Sequence, residues 1–105
     1  MSQVKLTDRA NQDLQRFAQF LQEVAPEKID EALDTIFDRL EILENNPLSG
    51  EPTPCEAIQD LRKLTIPYGK NGYVALYRYD QKADIVLVET LRHMLELEPD
   101  FLRPF

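Results

Sequence analysis

Apolar residues recur at Ala10, Leu14, Phe17, Leu21 and Val24, in steps of four and three that stack them on one side of a helix. Thr7 stands just before this stripe and offers a hydroxyl to cap a helix beginning at Asp8. Pro26 breaks the stripe and suits the first position of a following helix, where its missing N–H would have had no intrahelical partner. Beyond it Ile29, Leu33, Ile36, Leu40 and Leu43 form a second stripe, widened by Ala32 and Phe37, with Asp30, Glu31, Asp34, Asp38 and Glu41 on the other side. About twenty residues at roughly 1.5 Å each predict a rod of some 30 Å, ending at Asn45, Asn46 and Pro47. So short a link predicts that the two helices form an antiparallel hairpin.

After Pro47 the periodicity changes. Residues 47–57, PLSGEPTPCEA, hold three prolines and a glycine and read as a surface loop. LRKLTI (61–66), GYVALYRY (72–79) and DIVLVETL (84–91) are rich in β-branched and aromatic residues, and are separated by PYGKN and DQKA. They predict three antiparallel strands in a meander, and QVKL (3–6) a short first strand. The fold class is α+β: a short N-terminal strand and an antiparallel helical hairpin packed on an antiparallel sheet of three further strands. All of residues 1–105 form one domain, since a chain of this length buries a single core. The last two strands are apolar at nearly every position, as in strands covered on both faces. The hairpin takes one face. The other needs a cover too, because each large apolar side chain left in water forfeits roughly 1.5 to 3 kcal/mol. The tail EPDFLRPF offers Phe101, Leu102 and Phe105 for that task, or a partner protein supplies it.

Composition narrows the function. With 43% hydrophobic and 30% charged residues and no apolar run near the roughly 18 residues of a membrane span, the chain reads as a soluble protein. MSQVKLTDRANQ lacks the apolar stretch of a secretory signal, which places the protein in the cytoplasm. One cysteine, Cys55, makes no internal disulfide, and a single histidine gives no zinc site of Cys/His spacing, so no metal or cofactor is expected. Residues 1–56 hold 5 Lys/Arg against 12 Asp/Glu and residues 57–105 hold 7 against 7, so the net charge of −7 sits in the first half. That excludes a general nucleic-acid binder, which draws its affinity from clustered cations. It leaves room for a local basic patch in the second half.

The stretch IQDLRKLTIPYGKNGYVALYRYDQKADIVLVETLRH (58–93), following the strand and two helices, resembles the RelE/ParE superfamily of bacterial toxins from type II toxin–antitoxin pairs. The basic strand LRKL, the strand GYVALYRYD and the closing LRH at Leu91 to His93 carry the resemblance, which covers nearly the whole chain. It implies a cognate antitoxin as partner. It leaves the target open between messenger RNA cut on the ribosome and DNA gyrase, since members share a fold and not a target.

Metal-free RNA cleavage needs a base for the ribose 2′-hydroxyl, a cation for the phosphorane and an acid for the leaving oxygen. Arginine suits the middle role, because its planar fork stays charged and grips two phosphate oxygens. In the nuclease branch the resemblance implies an arginine directly after the tyrosine that opens the GYVALYRYD strand; here that residue is Val74. Arg78 lies four residues on, about 13 Å along an extended strand, too far to replace it. His93 is followed by Met94, Leu95 and Glu96 where some nuclease members carry a tyrosine or further basic residues. The expectation is a ParE-like toxin that inhibits DNA gyrase by binding. The alternatives are a ribosome-dependent mRNA interferase, with Lys63, Lys70, Arg78 and His93 as candidate catalytic residues, and a member that retains only antitoxin binding.

A hairpin turning at Asp80 to Ala83 pairs Tyr79 with Asp84, which brings Lys70 across from His93 and puts Arg92 on the other face. With Arg62 and Lys63 on the neighbouring strand, these residues and Tyr77 and Arg78 outline a surface for an anionic or acidic target or partner. Arg78 also has a plain structural reading, its stem among tyrosines and its head paired with Asp80, Asp84 or Glu89.

Overall fold

In the computed structural model, which describes residues 1–94, strand β1 (Gln3–Leu6) leads into helix α1 (Asp8–Val24). A 3-10 turn, Pro26–Lys28, joins α1 to helix α2 (Ile29–Asn45). Strands β2 (Glu51–Pro52), β3 (Arg62–Tyr68), β4 (Asn71–Asp80) and β5 (Ile85–His93) follow. The sheet order is β1-β5-β4-β3-β2. The expected meander of three strands is present, and β1 joins its β5 edge in parallel, so the sheet is mixed. Two residues of the proline-rich loop add the short antiparallel strand β2 on the other edge, which the turn residues around it had concealed.

Thr7 ties the first helix to the sheet. Its hydroxyl accepts from the Ala10 N–H at 3.1 Å and donates to the Glu89 carbonyl at 2.8 Å, so one side chain caps α1 and fixes its start on β5. Ala10, Leu14, Phe17 and Leu21 are buried as the stripe predicts, whereas Val24 is exposed. In α2 the buried positions are Ala32, Ile36, Leu40 and Leu43; Phe37, expected to widen the stripe, is exposed. Pro26 opens the 3-10 turn, one step before the helix it was expected to start.

The main core lies between helices and sheet, where Phe17, Ile36 and Leu43 meet Ile66, Tyr73, Tyr77, Val88 and Leu91. A second, smaller cluster of Leu61, Val74 and Leu76 occupies the opposite face, with Cys55, Ile58 and Met94 packed against it. The segment leading into β3 therefore supplies cover for the second face. Phe101, Leu102 and Phe105, expected to do so, lie outside the described residues.

The β4–β5 pairing corrects the expected register. Asp80 pairs with Ile85 and Tyr79 with Val86. The Asp80 carboxylate accepts the N–H groups of Lys82 and Ala83, and Asp84 takes a left-handed φ of 55°, which closes the turn one pair later than expected. Between Leu76 and Tyr77 the ladder shifts: Tyr77 faces Val88 and Leu76 faces Thr90, leaving Glu89 as a bulge residue. Beyond the bulge His93 faces Tyr73 and Arg92 faces Val74, so Lys70, in the β3–β4 turn, is not across from His93. A single inserted residue leaves no trace in an alternating pattern that is apolar almost throughout.

Asp84 also anchors the chain start. It accepts from the Ser2 and Tyr79 hydroxyls, each at 2.6 Å, and these donors hold its carboxyl below the ordinary 3.8. A carboxyl with a depressed folded pKa stabilises above its unfolded value and loses that contribution as pH falls through the folded one. Asp84→Asn is expected to flatten the acid limb of stability below about pH 4 in urea denaturation; an acid limb identical to the unmodified chain would contradict this.

Candidate functional site

Strand alternation sorts the charged residues by face. Val4, Leu6, Leu64, Ile66, Tyr73, Ala75, Tyr77, Val86 and Val88 belong to the core under the helices. Their neighbours Lys5, Lys63, Val74, Leu76, Arg78 and Leu87 therefore point to the open face, and Arg92, paired with Val74, joins them. Four cations from four strands thus share the open face, while α2 carries its acidic residues on the opposite side of the molecule.

At the centre of that face sits Val74, 2% exposed, between Leu61 and Leu76 and beneath the Cys55–Ile58 segment. Apolar cover stands where the resemblance implies a phosphate-gripping arginine. A charge placed there without a partner would face a desolvation cost of several kcal/mol.

The candidate residues divide into three groups. Arg62 and Tyr77 are engaged by the fold: the Arg62 guanidinium donates to the carbonyls of Gly50 at 2.8 Å and Leu48 at 3.2 Å, and the Tyr77 oxygen accepts the Gly50 N–H at 2.9 Å. Both side chains hold the turn that introduces β2. Tyr77→Phe should cost about 1–3 kcal/mol by leaving a buried N–H unsatisfied, measured by urea denaturation; a change under about 0.5 kcal/mol would show that the N–H finds another acceptor. Lys63, Arg78 and Arg92 share the open face, separated by Val74 and Leu76. Arg78 meets its structural expectation through Glu89, with Nε 3.6 Å from Oε1, yet its side chain stays 51% exposed. Lys63 lies 4.0 Å from Glu51. Lys70 is exposed in the β3–β4 turn, and His93 lies against the helix-side core, its ring edge-on to Tyr73 at 5.2 Å. The structure does not bring Lys63, Lys70, Arg78 and His93 together, since they occupy two faces and a turn. Among the described residues, no three metal-ligating side chains converge.

Two further residues were missed. Asp13 is buried on α1, where its Oδ2 accepts from the Thr90 hydroxyl at 2.6 Å and the Leu91 N–H at 2.9 Å. It closes the edge of β5 beyond the last residue of β1, and its place three residues after Ala10 on the apolar stripe was the available signal. Lys5 was passed over because strand β1 had no assigned neighbour.

Residues 4–97 match the family described as "ParE toxin of type II toxin-antitoxin system, parDE". The chain belongs to this family. It is a type II toxin of the RelE/ParE superfamily, as the resemblance implied. A relative named Toxin RelE3, from Caulobacter vibrioides, is 34% identical over 96 residues, covering 91% of this chain and 98% of the relative. The fold matches that of the chromosomal ParDE toxin–antitoxin system of P. aeruginosa at a TM-score of 0.69 and 21% identity, covering 90% of this chain and 97% of that one. It also matches the RelBE2 toxin–antitoxin complex of Mycobacterium tuberculosis at 0.53 and 22%, covering 88% and 96%. ParE and RelE names both occur among these proteins, so membership leaves the target open.

Proposed function

We propose that this ParE-family toxin acts in the cytoplasm by binding and obstructing DNA gyrase, and that a cognate antitoxin neutralises it. The observation that carries this is Val74, sealed in an apolar cluster at the position where a nuclease of this fold would hold its phosphate-gripping arginine. The separation of His93 from the open-face cations supports it, because acid, base and cation must reach one phosphate. A cognate antitoxin is supported by the two structural neighbours, a ParDE toxin–antitoxin system and a RelBE2 toxin–antitoxin complex. Supercoiling by purified gyrase should fall as the toxin is added and recover with antitoxin. Full supercoiling at a large molar excess of folded toxin would overturn the gyrase assignment.

The alternative, a ribosome-dependent mRNA interferase, is favoured by one observation, the RelE name of the 34% identical relative. In that case Arg78→Ala combined with His93→Ala abolishes cleavage of a ribosome-bound transcript.

A further inference from the structure

Toward the end of α1, Phe20 and Val24 stand 62% and 60% exposed, four residues apart and so on one side of the helix. Asp13, seven residues before Phe20, shares that side. It faces β5, since its carboxylate accepts from the Thr90 hydroxyl and the Leu91 N–H. The pair therefore lies on the side of α1 that looks onto the line of β5. A lone exposed apolar residue is ordinary on a protein surface. Here two large ones adjoin Phe17 and Leu21, which are buried, and so extend the core stripe into solvent.

Helix and strand run in the same direction at this place. The Thr7 hydroxyl donates to the Glu89 carbonyl, Asp13 accepts from the Leu91 N–H, and Phe17 packs on Tyr73, the cross-strand partner of His93. From Asp13 to Phe20 the helix advances about 10.5 Å. From Leu91 to Met94, the last described residue, the chain advances up to about 10 Å. It thus leaves β5 level with Phe20 and heading toward Val24.

We propose that Phe20 and Val24 are the seat of the C-terminal segment of this chain, with Leu95 and Leu97 packed on them. Val24 lies about 6 Å beyond Phe20 along the helix. The three residues from Leu95 to Leu97 cover about 6 Å even at the short rise of a 3-10 helix, so the segment reaches both side chains without being stretched. The family match extends to residue 97 and takes in both leucines. The stretch LELE (95–98) supplies two apolar side chains to bury and two carboxylates for solvent. The open face, by contrast, is already covered at its centre by Cys55 and Ile58.

The chain contains no tryptophan, so Phe20→Trp places a single fluorescent reporter at the seat. In the full chain its emission should lie at short wavelength and resist acrylamide quenching. Adding Leu95→Ser and Leu97→Ser should shift the emission to longer wavelength and expose it to the quencher. Phe37→Trp, at an exposed position of α2, should respond to neither leucine change. Should the serine pair impair folding, as read by circular dichroism, Leu95→Ala with Leu97→Ala is expected to shift the emission in the same direction. Long-wavelength emission with both leucines intact, or emission that the folded leucine variants leave unchanged, would overturn the proposal. So would a short-wavelength emission lost on dilution, which gives the seat to a second copy of this chain, or one reached only on adding the product of the adjacent antitoxin gene, which gives it to that partner.

Discussion

Gly72→Ala is expected to destabilise the protein by at least about 3 kcal/mol. Gly72 adopts a φ of +128°, which L side chains rarely tolerate. An added Cβ would lie 2.4 Å from the Ile66 carbonyl oxygen and 2.9 Å from the Tyr68 nitrogen. Both are backbone atoms, so no side-chain rotation relieves the overlap, and the β3–β4 hairpin would have to open. Gly69, three residues earlier, has φ +63° but open space around its missing Cβ. Gly69→Ala should therefore cost only about 1 kcal/mol. Urea denaturation of the two variants separates the causes. Equal losses would mean that backbone conformation alone sets the cost, contrary to the close approach of Gly72 to the Ile66 carbonyl.

Asp13→Ala is expected to cost about 3 kcal/mol, again by denaturation. The substitution removes the acceptor of both the Thr90 hydroxyl and the Leu91 N–H, and hydrogen bonds to a charged acceptor are worth more than neutral ones. It also removes the contact with Arg16, whose Nη2 lies 3.2 Å from the other carboxylate oxygen. The loss should be local: the Leu91 amide should exchange with solvent far faster, while amides of β3 change only with global stability. Protection at Leu91 equal to that of the unmodified chain would show that water or another group replaces Asp13.

The helices were legible because their apolar steps of three and four have no competing explanation, and because the Thr7 hydroxyl caps the start of α1. The meander was legible from β-branched runs between turn residues. The register was not, because β4 is buried from Gly72 to Tyr77 on both faces and offers no polar residue to mark the pleat. Glu89 could be recognised as a bulge residue only once the pairing of both its neighbours was known. The candidate site suffered from the same cause. Lys63, Arg78 and Arg92 could be placed on strands from the sequence, but Lys5 could not be placed on the same face, because its strand pairs in parallel with a segment distant in sequence, Lys5 opposite Leu87. Arg62 and Tyr77 look like surface recognition groups by type, and their capture by the Leu48–Gly50 turn is a tertiary event that no local pattern announces. Val74 was the exception: it was singled out because the resemblance implies an arginine there, and the structure buries it in an apolar cluster.

The claim that this scaffold obstructs a partner instead of breaking a bond is tested most directly with purified toxin, ribosomes and a defined transcript, read by primer extension. Full-length transcript at every toxin concentration that arrests gyrase is the expected result. Cleavage within the ribosomal A site that disappears on adding antitoxin would contradict it.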